Sequence, residues 1–113
     1  LQEDALAQFI EDDSLAWQPV RPEITHGVSG KVLLAGPTRA VLTRVEAGGR
    51  FAPHCDPYAH LFYILVGQGE VLAGEERRVV GPGSVVRIEA GELHGYENNG
   101  ETDLLLISLN LPQ

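Results

Sequence analysis

The chain has 113 residues, 43% of them hydrophobic and 21% charged, with eight Lys plus Arg against sixteen Asp plus Glu for a net charge of −8. A chain of this length buries roughly two-thirds of the surface it exposes when unfolded, so the expectation is a single domain over residues 1–113 with one real core. The proportions exclude the charge-heavy signature of disorder, and the acidic balance without a basic run excludes a surface that neutralises a line of phosphates, so nucleic acid is not an expected partner.

In chain order, Leu1, Ala5, Leu6, Phe9 and Ile10 recur at helical spacing until the acidic EDD run, which predicts a short N-terminal helix within an arm of residues 1–22. That segment lacks the positive start and apolar middle of a secretory signal. Pro19 and Pro22 each remove a backbone donor, so their stretch reads as a loop or an edge strand. From Lys31 the texture changes to short runs rich in β-formers: KVLLA, AVLTRVE, LFYILV, GEVLA, RRVV, SVVRIE and DLLLISLN, separated by glycine-rich turns. Seven or eight short strands at this spacing predict an all-β sandwich or barrel over residues 31–110, and no long helical period interrupts them to build a parallel α/β sheet. The longest apolar stretches, residues 61–66 and 104–109, fall far short of the ~20 residues of a membrane-spanning helix, so no membrane partner is expected. One cysteine, Cys55, excludes an internal disulfide, and a cytoplasmic location is the expectation.

Three of the four histidines lie in two glycine-bounded clusters, GGRFAPHCDPYAHLFYILVGQG and GPGSVVRIEAGELHGYENNG. In an extended chain alternate side chains share a face, so His54 and Asp56 point one way and Cys55 the other. His60 has the same parity but follows Pro57, which places it at the start of the next strand after a turn; His94 comes from a separate turn. Imidazole nitrogens and a carboxylate oxygen together suit Mn, Fe, Co, Ni, Cu or Zn rather than Mg or Ca.

With these residues in place, the sequence resembles the cupin superfamily, whose first motif runs G-x5-H-x-H-x3,4-E-x6-G and whose second runs G-x5-P-x-G-x2-H-x3-N. Here Gly48, His54 and Gly67 match the first, with Asp56 at the second His and His60 at the Glu; Gly83, Gly91, His94 and Asn98 match the second, with Glu89 at the Pro. The resemblance implies a double-stranded β-helix, or jelly-roll barrel, that holds one divalent transition-metal ion in its mouth on His54, Asp56, His60 and His94, and it implies a homodimer. Asp56 departs most from the pattern. Being shorter than an imidazole, it has three open roles: a direct ligand, a ligand through water, or an acceptor that orients a ligating histidine.

Outside the ligand positions the readings are plainer. His26 is read as a loop histidine and Cys55 as a small buried hydrophobe. Tyr58, Phe62, Tyr63 and Tyr96 flank the ligands, and Phe62, sharing the parity of His60, is the expected cavity wall. Arg44, Arg50 and Arg87 are the cations nearest the motifs and are read as solvated or ion-paired. Glu92 and Glu97 flank His94 and are read as solvated, so no general base is assigned.

The leading functional expectation is a small-molecule metalloenzyme with dioxygenase-like oxidative chemistry. The alternatives are a redox-neutral metal-dependent isomerase or lyase, and a module that binds a metal or small ligand without turnover. The His54-Cys55-Asp56 pattern with a distant His94 also resembles the facial triad of 2-oxoglutarate-dependent oxygenases. Those need a basic residue after the distal histidine, and none follows His94.

Overall fold

The structure, a computed structural model, describes residues 7–113. Nine strands follow one another: β1 (Gln18–Pro19), β2 (Thr25–Leu34), β3 (Arg39–His54), β4 (His60–Val66), β5 (Gly69–Ala73), β6 (Glu76–Val80), β7 (Val85–Ile88), β8 (His94–Glu97) and β9 (Leu104–Asn110). All pairings are antiparallel, in the order β6-β5-β8-β3-β9-β4-β7, with β2 also on β3 and β1 on β2. This is the curled antiparallel sheet of a jelly-roll barrel. Among the described residues no helix is long and apolar enough to cross a membrane.

The sixteen-residue β3 connects the two halves of the barrel. Residues 39–45 lie beside β9, while Arg50, Phe51 and His54 lie beside β8. Between them Gly48 takes a φ of 81°, which glycine adopts cheaply, and the amides of Gly48 and Asn98 bond the carbonyls of Asn98 and Gly49. Asn98, 1% exposed, also donates its side-chain amide to the carbonyls of Val45 and Thr102 and accepts from the amide of Gly100. Every polar atom of this buried side chain is thus satisfied, and the turn after β8 is clamped to β3. Gly67, with φ of 84°, passes so close to Asp103 that an added Cβ would sit 2.4 Å from its carbonyl oxygen.

Side-chain alternation then sorts inside from outside. Along β4, His60, Phe62 and Ile64 are buried while Tyr63 and Leu65 are exposed; along β9, Leu104 and Leu106 are buried. Phe62, Ile64, Leu104 and Leu106 form one core with Val28, Val45, Val71, Val80, Ile88 and Tyr96. Each such burial is worth about 1.5–3 kcal/mol.

Three expectations change. Of the N-terminal helix, residues 1–6 lie outside the described residues; residues 7–10 are irregular, and the helical piece is a single 3-10 turn at Asp12–Ser14. Phe9 is 95% exposed, and a short helix is marginal without an apolar surface to pack on. Secondly, β3 runs on through AGGRFAPH, a stretch that reads as a turn because Gly and Pro hide its alternation. Pro53 is tolerated there because it falls in the register shift between Phe51 and His54. Thirdly, His26 lies on β2 opposite Arg50 rather than in a loop, and it is exposed.

Candidate metal centre

Register brings the histidines together. His54 and His94 are direct cross-strand partners on β3 and β8, and His60 is the partner of Asn110 on β9. The ring of His94 lies between the other two, 4.3 Å from that of His54 and 4.6 Å from that of His60, centroid to centroid. Asp56 follows His54 by two residues, and its carbonyl accepts from the amide of Gly91, which ties the turn before His94 to the segment between His54 and His60.

The hydrogen bonds fix which nitrogen of each ring faces inward. His54 Nδ1 lies 2.8 Å from the carbonyl of Ala52, His94 Nδ1 2.8 Å from that of Glu92, and His60 Nδ1 3.0 Å from Oδ1 of Asn110. Those oxygens only accept, so each Nδ1 donates, and Nε2 of each ring faces the centre, where it gives an N–H to Asp56 when the ring is protonated and offers a lone pair to a metal when it is neutral. There the three Nε2 atoms stand 3.1, 2.9 and 3.5 Å from Oδ2 of Asp56, for His54, His60 and His94 respectively. Three ring nitrogens and one carboxylate oxygen therefore converge on one point, and imidazole nitrogen with carboxylate oxygen is the donor set of a divalent transition metal. His54, Asp56 and His94 offer ligand atoms within 4.8 Å of one another. His60 meets the same Asp56 oxygen from the opposite strand pair.

Burial pulls the Asp56 carboxyl upward, but the hydrogen bond with His60, the charges of His54 and His60, and Arg21 outweigh it and hold the group below its ordinary value. Burial, helped by His54 and His60, pushes His94 below its ordinary value against the bond to the Glu92 carbonyl, so its neutral, ligating form is favoured. Burial and then the Asp56 charge raise Tyr58, keeping its hydroxyl protonated.

The site opens into a cavity of about 340 Å³, with Phe51, Phe62 and Tyr96 among its walls. Phe62 is the wall expected of it, whereas Tyr63 is 43% exposed on the outer face. Arg50 and Arg87 are exposed, in keeping with the solvated reading, and neither lines the cavity. Arg44 lies over Trp17, and the two arginines that face the cavity are Arg21 and Arg39. Arg21 Nη1 donates to Asp56 Oδ1 at 3.0 Å. Its φ of 40° is the only positive value outside glycine among the described residues, and Thr25 Oγ1 holds that turn through the carbonyls of Val20 and Arg21. Nothing in its sequence surroundings marks it, because its partner is 35 residues away. Glu92 uses its carboxylate on the amide of Glu89, and neither it nor Glu97 lines the cavity. Cys55 points away from the centre as its parity requires, but it is exposed rather than buried.

A family model described as a cupin domain matches residues 41–110. Among solved structures, a predicted oxalate decarboxylase from Thermotoga maritima superposes with a TM-score of 0.85 at 20% identity, over 94% of this chain and 100% of that one. KdgF from Halomonas sp. superposes with a TM-score of 0.82 at 26% identity, over 96% of each chain. The polyketide cyclase RemF from Streptomyces resistomycificus does so at 0.84 and 19% identity, over 93% of this chain and 79% of that one. No curated protein matches the sequence.

Proposed function

The chain belongs to the cupin domain family, and from that premise we propose that it is a small-molecule metalloenzyme holding one divalent transition-metal ion on His54, His60 and His94, with Asp56 as the fourth group. The carrying observation is the set of three Nδ1 donors committed to fixed oxygens, which leaves three Nε2 atoms and one carboxylate oxygen aimed at one point. Because backbone carbonyls and Asn110 orient the rings, Asp56 is free of that role, and Oδ2 faces the same point as the nitrogens.

When bound, such an ion supplies Lewis acidity or, for a redox metal, dioxygenase-like oxidative chemistry. The chain's own residues do the rest. Phe51, Phe62 and Tyr96 exclude water from one side of the cavity, and Arg21 holds Asp56 in place. A redox-neutral isomerase or lyase is the second reading, favoured by Tyr58: it lines the cavity with its ring 5.0 Å from that of His60, and its protonated hydroxyl can donate a hydrogen bond to the oxygen of a bound molecule. The reading includes a homodimer, for which exposed Leu33, Leu34, Val66 and Val85 supply apolar surface.

The test is elemental analysis of tag-free protein beside His94→Ala, each dialysed against a weak chelator. Near-stoichiometric Fe, Mn, Co, Ni, Cu or Zn that is lost in the variant is the expected result, and the metal's identity sorts redox from Lewis-acid chemistry. Protein that carries no metal and refuses added ions contradicts the reading and leaves a metal-free binding barrel.

A further inference from the structure

The chain carries twice as many carboxylates as basic side chains, yet the charged residues that line its cavity are two arginines and one aspartate. The aspartate is already engaged by Arg21 and the histidines. The cavity is thus a cationic spot on an acidic molecule, and a bound metal makes it more so.

The positions of the two arginines are set by the fold. Arg39 is the cross-strand partner of Asn110, which is in turn the partner of His60, so one row across β3, β9 and β4 reads arginine, asparagine, histidine. Two strand spacings separate Arg39 from His60, roughly 10 Å between backbones, a span that a small molecule bridges. Arg39 also shares parity with Val41 and Thr43, which line the same cavity. Among the described residues it has no carboxylate partner. Arg21 reaches in from the N-terminal arm, which is held down by the Asp12–Lys31 ion pair, by the stacking of Lys31 and Arg44 on Trp17, and by the pairing of β1 with β2. It gives one N–H to Asp56, and a guanidinium has five.

We infer that the cavity takes a small organic carboxylate bearing a second oxygen function, its anionic group held by Arg39 and the remaining donors of Arg21 and its other oxygen turned toward the histidines. Planar guanidinium donors match a carboxylate in charge and shape. A volume of about 340 Å³ sits at the small end of ligand pockets and limits the molecule accordingly. The inference rests on the metal site for the orientation of the ligand but not for its charge.

Calorimetric titration of the full metal-loaded chain with benzoate and with its neutral isostere benzamide tests it, with metal content measured on every sample. Benzoate binding at least about tenfold tighter is expected, and Arg39→Gln should remove most of that preference while metal content holds. Arg87→Gln removes the same charge on β7, away from the cavity, and should leave the preference intact. Equal affinity for the two probes in the unmodified chain overturns the inference. So does a preference that survives Arg39→Gln, which would place the carboxylate on the metal, or one that Arg87→Gln weakens equally, which would make it a matter of net charge. If the chain binds no metal, the metal reading fails by itself, and the same titrations on the metal-free chain decide the arginine subsite.

Discussion

The two ends of the barrel are built from the same strands and differ in what those strands point inward. Along β4 and β9 one end presents Ile64, Leu104 and Leu106, each 1% exposed, and the other presents His60, Ser108 and Asn110. At the first end the core side chains are apolar, and buried Asn98 beside them has all its hydrogen-bonding atoms paired. At the second, the Nε2 atoms of three imidazoles and a carboxylate face one another. One alternation of side chains therefore makes a core and a site in series. Phe62 and Tyr96 belong to both, as core residues that line the cavity; otherwise the stability of the fold and the chemistry of the mouth rest on different residues of shared strands.

The largest effect that sharpens this contrast is Ile64→Ala, expected to lower unfolding free energy by about 2–5 kcal/mol in denaturant titrations. The folded fraction should keep its metal. A loss of metal at equal folded concentration would show that the two ends are coupled. Next comes Asn98→Ala, which leaves the carbonyls of Val45 and Thr102 and the amide of Gly100 without partners; about 1–3 kcal/mol of stability should go. Asn110→Ala acts at the mouth instead. Removing the oxygen that orients His60 should weaken metal binding by roughly 10–100-fold in competition with a chelator, with little change in stability of the metal-free chain.

The smallest effect concerns acid. His94 in the folded chain titrates below 6.5, so on acidification through that window the unfolded chain takes up a proton that the folded one refuses, and stability falls. Asp56, also lowered, contributes stability that is present above 3.8 and is lost as pH falls through its lower folded value. Both act in the same direction, toward acid destabilisation. Chemical denaturation of metal-free protein between pH 7 and 5 should therefore show falling stability, with a shallower slope in His94→Gln; an equal slope would mean that His94 does not carry the effect.

The regions also differ in how far they were legible in the sequence. LFYILV and DLLLISLN alternate or run apolar, and they are β4 and β9 to within a residue at either end. The glycines at 48, 67, 83 and 91 stand where positive φ is needed. His54, Asp56, His60 and His94 were readable from spacing against those glycines. By contrast β8, HGYE, has too little apolar pattern to announce a strand, and it exists because β3 and β5 pair with it on both sides. Arg21, Arg39 and Asn110 were invisible for a related reason: each reaches the site through a cross-strand register or an arm packed against the barrel, and such neighbours leave no local mark. Of the expected N-terminal helix, residues 1–6 lie outside the described residues, and the part that is described, residues 7–10, is irregular.

In the proposed metal centre three histidines converge through Nε2 on one ion. X-ray absorption at the edge of the metal that the full chain retains tests this most directly. The account predicts three imidazoles in the inner shell, at roughly 2.0–2.1 Å if the ion is zinc, with their multiple-scattering pattern and additional oxygen. A shell of oxygen alone, or one with a single imidazole, would contradict it.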